Sequence, residues 1–179
     1  MSHLGGHGGN TWVDEGAVTF LAKKFEIKNM LDIGCGPGGM KKIALDNNIH
    51  WVGIDGDISV EQDGVIIHDF TKNSIEEIGY FDLGWSVEFL EHVEEKYMPN
   101  YMSAFRKCKH VMCTAAPIGW GGHHHVNEQS QEYWVEKFKN YGFTYDPEVS
   151  NLVKENSTMR KKHGKSFIER TGMYFRRDV

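Results

Sequence analysis

Residues 29–39 read NMLDIGCGPGG, and the rest of the chain is organised around them. The stretch begins as a short apolar run and ends in a turn with glycine at 34, 36, 38 and 39. A helix-like segment, MKKIALDNN, follows at once. Strand, glycine turn and helix, in that order, make a unit that holds a nucleoside or a phosphate. Glycine lets the backbone reach positive φ and lets a ligand approach the main chain closely. The helix start then offers free N–H groups and the positive end of its dipole.

Two fingerprints fit the same letters. Gly34, Gly36 and Gly39 satisfy G-x-G-x-x-G, and Asp55 lies 21 residues after Gly34, as in a dinucleotide site. The letters also read D-x-G-x-G-x-G, from Asp32 through Gly34, Gly36 and Gly38. In that form the stretch resembles the first motif of the class I S-adenosylmethionine-dependent methyltransferases. The resemblance implies that the turn, Gly34, Cys35, Gly36 and Gly38, packs under the methionine and ribose of the cofactor. It also implies that Asp32 helps to bind the amino group. Physical chemistry favours this second reading. S-adenosylmethionine carries an ammonium and a sulfonium and no pyrophosphate, so a carboxylate at the turn attracts it and would repel a dinucleotide. Pro37 also removes an N–H that a pyrophosphate could use.

At 179 residues, with 40% hydrophobic and 25% charged residues, the chain is expected to form one domain with a proper core. No apolar run approaches the roughly 20 residues of a membrane span, and the start, MSHLGGHGGNTW, lacks the pattern of a signal peptide. Cys35, Cys108 and Cys113 are odd in number and have no metal-ligand spacing, so a reducing, cytoplasmic setting is expected. The net charge of −5 hides an asymmetry: residues 151–179 hold eight Lys/Arg against three acids, which leaves −10 on the remainder. A basic carboxy-terminal part could meet an anionic substrate or simply be a solvated surface.

Residues 1–13 read as a flexible Gly/His-rich arm and 14–179 as the single domain. Asp14 can cap a helix in which Val18, Leu21, Ala22 and Phe25 recur at helical spacing. Strands are expected at 27–34, 51–54, 65–67, 81–86, within HVMCTAAP at 110–117, at 143–145 and near 172–175. Helices are expected at 39–47, from Pro99 with Tyr101, Met102, Phe105 and Cys108 on the apolar face, and after Ser130. The last of these should bury Tyr133, Trp134, Phe138 and Tyr141 and stop at Gly142. Residues 150–165 read as a polar, basic connection. The resemblance implies an α/β, doubly wound, Rossmann-like sheet of seven strands, mostly parallel with an antiparallel last strand, and helices on both faces.

Three strands end on candidate contacts. Asp55, with Gly56 and Asp57 behind it, ends the strand beside the glycine turn, where a carboxylate can accept both hydroxyls of a ribose. The resemblance assigns Asp69 to the adenine amine and Phe70 to its ring. SVEFLEHV, residues 86–93, resembles a stretch of small-molecule methyltransferases of the ubiquinone-biosynthesis type. It implies that Ser86, Val87 and Glu88 line the cofactor. Methyl transfer is an in-line displacement, and an oxygen acceptor must also lose its proton. Glu91, His92, His124 and His125 are the candidate acid–base set, and His125 with Asn127 matches an acceptor-facing H-x-N string of the family. No His, Asp or Glu pattern at helical spacing marks a metal site, and none is expected.

Absences narrow the acceptor. There is no Asn-Pro-Pro-Tyr or Asp-Pro-Pro-Tyr string for base amines, no Pro-Cys for pyrimidine C5, and no Lys-Asp-Lys-Glu tetrad at the places ribose 2′-O enzymes have it. The expectation is a monomeric or homodimeric S-adenosylmethionine-dependent methyltransferase, giving S-adenosylhomocysteine and methylating an oxygen of a small molecule. Nucleic acid is not the expected partner. Alternatives are an RNA or protein methyltransferase using the basic tail, or a non-catalytic S-adenosylmethionine-binding partner protein. A dehydrogenase stands further off, because no second domain is visible for its substrate.

Overall fold

The computed structural model describes residues 8–160 and 166–178. Helix α1, Glu15–Phe25, starts as its sequence directs: the Asp14 carboxylate accepts from the Ala17 amide at 2.9 Å. Asp14 is fully buried and also accepts from the Thr158 amide at 2.9 Å, which ties the chain beyond α5 to the start of the domain. Strand β1, Asn29–Ile33, leads through the glycine turn into α2, Met40–Asp46. The chain continues through β2 (His50–Asp55), β3 (Val65–Ile67), β4 (Phe81–Ser86), α3 (Met98–Phe105) and β5 (Cys108–Cys113). It closes with α4 (Gln131–Asn140), β6 (Phe143–Tyr145), α5 (Pro147–Asn156), α6 (Phe167–Thr171) and β7 (Met173–Arg177).

The seven strands form one sheet in the order β3-β2-β1-β4-β5-β7-β6. β1 through β5 pair in parallel, and β7 runs antiparallel to both β5 and β6. The doubly wound sheet with an antiparallel last strand is therefore as the sequence implies. The strand order reverses between β1 and β4. Ligands of open α/β sheets sit outside the carboxyl ends of the strands at such a reversal, and here the glycine turn and the loop after β4 both emerge there.

Both faces of the sheet are covered, which explains why the strands read as near-continuous apolar runs. On one face Tyr101, Met102 and Phe105 of α3 and Trp134 and Phe138 of α4 pack with Leu31, Ile33 and Phe175. On the other, Val18 and Leu21 of α1, Met40 of α2, Val153 of α5 and Ile168 of α6 pack with Met30, Trp85 and Tyr174. β7 shows the alternation: Met173 and Phe175 enter the first core and Tyr174 the second.

The structure corrects several expectations. Cys108 does not lie on α3. The helix ends at Phe105, the Lys107 carbonyl accepts from the Phe81 amide at 2.8 Å, and Cys108 opens β5. β5 stops at Cys113, where its pairing with β7 ends, so residues 114–117 are loop and not strand, with 114–116 buried. Tyr133 and Tyr141 are half-buried, and only Trp134 and Phe138 of that set are buried. The segment from 150 begins as helix: α5 runs on through 150–156, capped by Asp146, with Pro147 in its first turn and Val149 and Val153 inward. Residues 161–165 lie outside the described residues. α6 carries a capping box, Ser166 and Glu169, whose S-x-x-E spacing is a helix-start signal in the sequence.

Candidate active site

The glycine turn is held open by its neighbours. The amides of Gly34 and Cys35 both donate to the Ile54 carbonyl, at 2.9 and 3.1 Å, and the Gly36 amide donates to Asp55 Oδ2 at 2.8 Å. Gly34 has φ of 75°, and a Cβ there would meet the Phe89 ring at 2.5 Å. Conformation and close approach thus both demand glycine.

Two pockets meet at this turn. The first is polar and is lined by Asp32, Gly34, Cys35, Gly36, Val87, Glu88 and His92, with Asn10, Thr11, Trp12, Met40 and Trp85. The second is lined by Gly34, Asp55, Gly56, Asp69 and Phe70, with Ile54, His68, Thr71, Phe89, His92 and Val93. Gly34 and His92 belong to both, so the two form one elongated cleft across the turn.

Most of the sequence-derived candidates converge on this cleft, and some do not. Ser86 is fully buried and its hydroxyl donates to the Ile33 carbonyl at 2.9 Å, so it braces β4 against β1. Gly38 lies against Gln62 and Trp51, and Asp57 accepts from the Ser59 amide at 2.9 Å. Neither of these two residues is part of the cleft wall. Asp55 Oδ1 accepts from the Asp57 amide at 2.9 Å, so this one carboxylate braces the turn and its own loop together. Asp69 Oδ1 accepts from the Thr71 amide at 2.9 Å and hydroxyl at 2.7 Å. The Phe70 ring meets Phe89 and His68 edge-on.

Asp32 is buried, and the Trp51 indole N–H donates to its Oδ2 at 3.2 Å. Burial pushes its carboxyl up to about 7, the Trp51 hydrogen bond opposes this, and the Asp55 charge adds to it. Glu91, fully buried in the turn at 90–92, is held well above the usual carboxylate range by burial and by the Glu88 charge. Burial and the His125 ring lower His92 to about 4, so its ring is neutral near pH 7. His125 comes from the loop between β5 and α4. The Val126 and Asn127 amides donate to the Glu91 carbonyl at 2.9 and 3.0 Å, and this clip sets the His125 ring edge-on to His92, 5.0 Å between centroids. His124 contributes its carbonyl, which accepts from His92 Nδ1 at 3.2 Å.

No protein-family model matches the chain, and no curated protein matches it by sequence. Solved structures match throughout. The methyltransferase domain of bacterial CtHen1-C superposes with a TM-score of 0.63 at 15% identity, over 92% of this chain and 97% of that one. The Burkholderia thailandensis 1,6-didemethyltoxoflavin-N1-methyltransferase, solved with 1,6-didemethyltoxoflavin and S-adenosylhomocysteine, gives 0.61 at 13% identity, over 91% and 77%. The O-methyltransferase of a trans-AT PKS multienzyme of Brevibacillus brevis, in complex with S-adenosyl-L-homocysteine, gives 0.59 at 15% identity, over 92% and 72%. The fold is that of the class I methyltransferases. None of these three is described as a ubiquinone-biosynthesis enzyme.

Within this methyltransferase fold the cleft holds residues that sequence reasoning missed. Asn10, Thr11 and Trp12 close the polar end. The Gly39 amide donates to Thr11 Oγ1 at 3.1 Å, and Trp12 packs edge-on to Phe167. No local pattern marks these residues, because they act only when the chain start folds back over the turn. Met40 and Trp85 belong to the second core and also reach the cleft.

Asp32 makes stability depend on pH. Between about pH 4 and 7 the unfolded chain has lost this proton and the folded chain has kept it, so stability falls as pH rises through that window, by about 4 kcal/mol in total. Asp32→Asn removes the titration and keeps an acceptor for Trp51. The variant is expected to melt above the parent near pH 8 and to gain nothing near pH 4, as read by calorimetric scans across pH.

Proposed function

We propose that the chain is a methyltransferase that uses S-adenosylmethionine and transfers the methyl group to an oxygen of a small-molecule acceptor. The observation that carries this reading is the two-ended cleft. Its polar end holds a buried carboxylate, Asp32, and its other end joins an apolar ring, Phe70, to the carboxylates of Asp55 and Asp69. The molecule this division fits is cationic at one end and nucleosidic at the other.

In this reading the ammonium of the cofactor sits by Asp32, which gives up its proton on binding. The ribose meets Asp55 and the adenine lies against Phe70, with its amine toward Asp69. The sulfonium then falls over Gly34, where the two pockets join, beside Val87, Glu88 and His92. The chain's part in the chemistry is to align the acceptor oxygen with the methyl–sulfur bond and to exclude water. The C–S bond breaks as the O–C bond forms, the electron pair leaves with sulfur, and the acceptor proton goes to a base. Glu91, His92, His124 and His125 remain the acid–base set in this proposal.

Calorimetric titration of S-adenosylmethionine, S-adenosylhomocysteine and NADH into the folded protein tests the cofactor. The first two are expected to bind and NADH is not. Tighter binding as pH rises from about 6 to 7 is expected as well, because a cation beside Asp32 favours its ionised form. Binding without turnover on any hydroxylated acceptor would leave the non-catalytic reading standing.

A further inference from the structure

Around His92, a residue of the cleft wall, stands a cluster that neither the cofactor nor the fold requires. One ligand atom each of Glu91, His92 and His125 lies within 4.8 Å of the others. Glu91 is completely buried, neither of its carboxylate oxygens makes a well-formed hydrogen bond among the described residues, and the side chain that bears on it is another acid, Glu88. A buried carboxylate left in that state is costly and needs an explanation.

The two histidines are arranged as ligands usually are. His92 Nδ1 donates to the His124 carbonyl at 3.2 Å, and His125 Nδ1 donates to Glu128 Oε1 at 2.8 Å. Glu128 in turn accepts from the Gly119 and Gly121 amides at 2.9 and 2.7 Å. An acceptor on Nδ1 fixes the proton there and leaves Nε2 as a lone pair, which is the outer support that metal-binding histidines have. The backbone is strained at the same place. Glu88 and His124 both adopt positive φ, 57° and 56°, although neither is glycine and neither closes a helix. Strain of this kind persists where the surrounding structure holds it for a purpose.

We propose that Glu91, His92 and His125 bind a divalent transition-metal cation beside the methyl-transfer position. Two imidazoles and one carboxylate suit Mn²⁺, Fe²⁺, Co²⁺ or Zn²⁺ better than Mg²⁺ or Ca²⁺. Three protein ligands leave coordination positions open, and His92 faces both halves of the cleft. With the cation bound, Glu91, His92 and His125 act as ligands in place of the acid–base role, and an acceptor hydroxyl that takes an open position loses its proton to solvent more readily. The alkoxide then attacks the methyl carbon, and the methyl ether and S-adenosylhomocysteine leave. This role rests on the methyltransferase reading, whereas cation binding does not.

The competing account is that Glu88 and Glu91 share a proton and bind nothing. The test titrates Mn²⁺ into the chelator-treated full chain, read by electron paramagnetic resonance, with Zn²⁺ by calorimetry as a second probe. One saturable ion per chain is expected. Glu91→Gln and His125→Asn are each expected to weaken it by about 100-fold, with the fold checked by circular dichroism. His92→Asn serves if either variant fails to fold. A His3→Ala/His7→Ala variant is expected to bind unchanged, which excludes the chain start as the site. Absence of saturable binding, or binding in Glu91→Gln and His125→Asn as tight as in the parent, overturns the proposal. Cation binding without any S-adenosylmethionine binding would leave the metal site in place and remove the methyltransferase reading.

Discussion

Asp55→Ala is expected to weaken S-adenosylmethionine binding by about 100-fold or more while leaving a folded protein. The carboxylate is asked to do three things at once. One oxygen accepts from the Gly36 amide and the other from the Asp57 amide, and the residue lines the second pocket, where the proposed ribose would donate two hydroxyls. Asp55 is half-buried; hydrogen bonds to a charged group are worth about 1.5–3 kcal/mol each, and each 1.4 kcal/mol or so is a factor of ten in affinity. The loss has two parts: the direct contacts to the ligand, and a glycine turn no longer drawn toward β2. Asp57→Ala supplies the comparison. Its side chain accepts from the Ser59 amide, away from the cleft, so its effect on affinity is expected to be several-fold smaller. Isothermal titration of the parent and both variants measures this. Equal losses in the two variants would contradict the placement of the ribose.

The largest stability effect is expected at Phe138, far from the cleft. Its ring stacks on Phe175 at 4.3 Å between centroids and meets Phe105 and Phe143 edge-on at 5.3 and 5.6 Å. It is 1% exposed, so Phe138→Ala opens a cavity that α4, β7 and α3 cannot all collapse into. A cost of about 3–5 kcal/mol follows, which lowers the melting temperature of a domain this size by about 10 °C. Cofactor affinity well below the transition should be unaffected, since the partners of this ring, Phe105, Phe143 and Phe175, are not cleft residues. A melting shift of only one or two degrees would mean that the first core is looser than its ring geometry indicates.

The parts of the fold legible in the sequence are those coded by neighbours along the chain. The strand–turn–helix of residues 29–46, the acids ending β2 and lying beyond β3, and the caps at Asp14 and Ser130 each depend on a few consecutive residues. α5 was not legible because its inward face rests on Val149 and Val153 with little else apolar between them. Its surroundings, the face of α1 and the edge of β7, supply the stability that its composition does not. Cys108 was misplaced for a related reason. Helical spacing continues past Phe105 in the letters, but pairing with Phe81 claims that residue for β5.

The candidate site divides along the same line. By itself the sequence determined that a glycine turn follows a buried strand, that carboxylates stand at the ends of the next strands, and that Glu91, His92 and the His123–His125 run were the titratable groups to watch. Only the tertiary structure decided which of these meet. It turned Ser86 inward to Ile33, brought Thr11 and Trp12 over the turn, and clipped the Val126 and Asn127 amides onto the Glu91 carbonyl so that His125 stands against His92. Short-range patterns record what a residue does to its own backbone. Which loop closes on which turn is set by hydrogen bonds and packing between segments distant in the chain, and no local spacing encodes them.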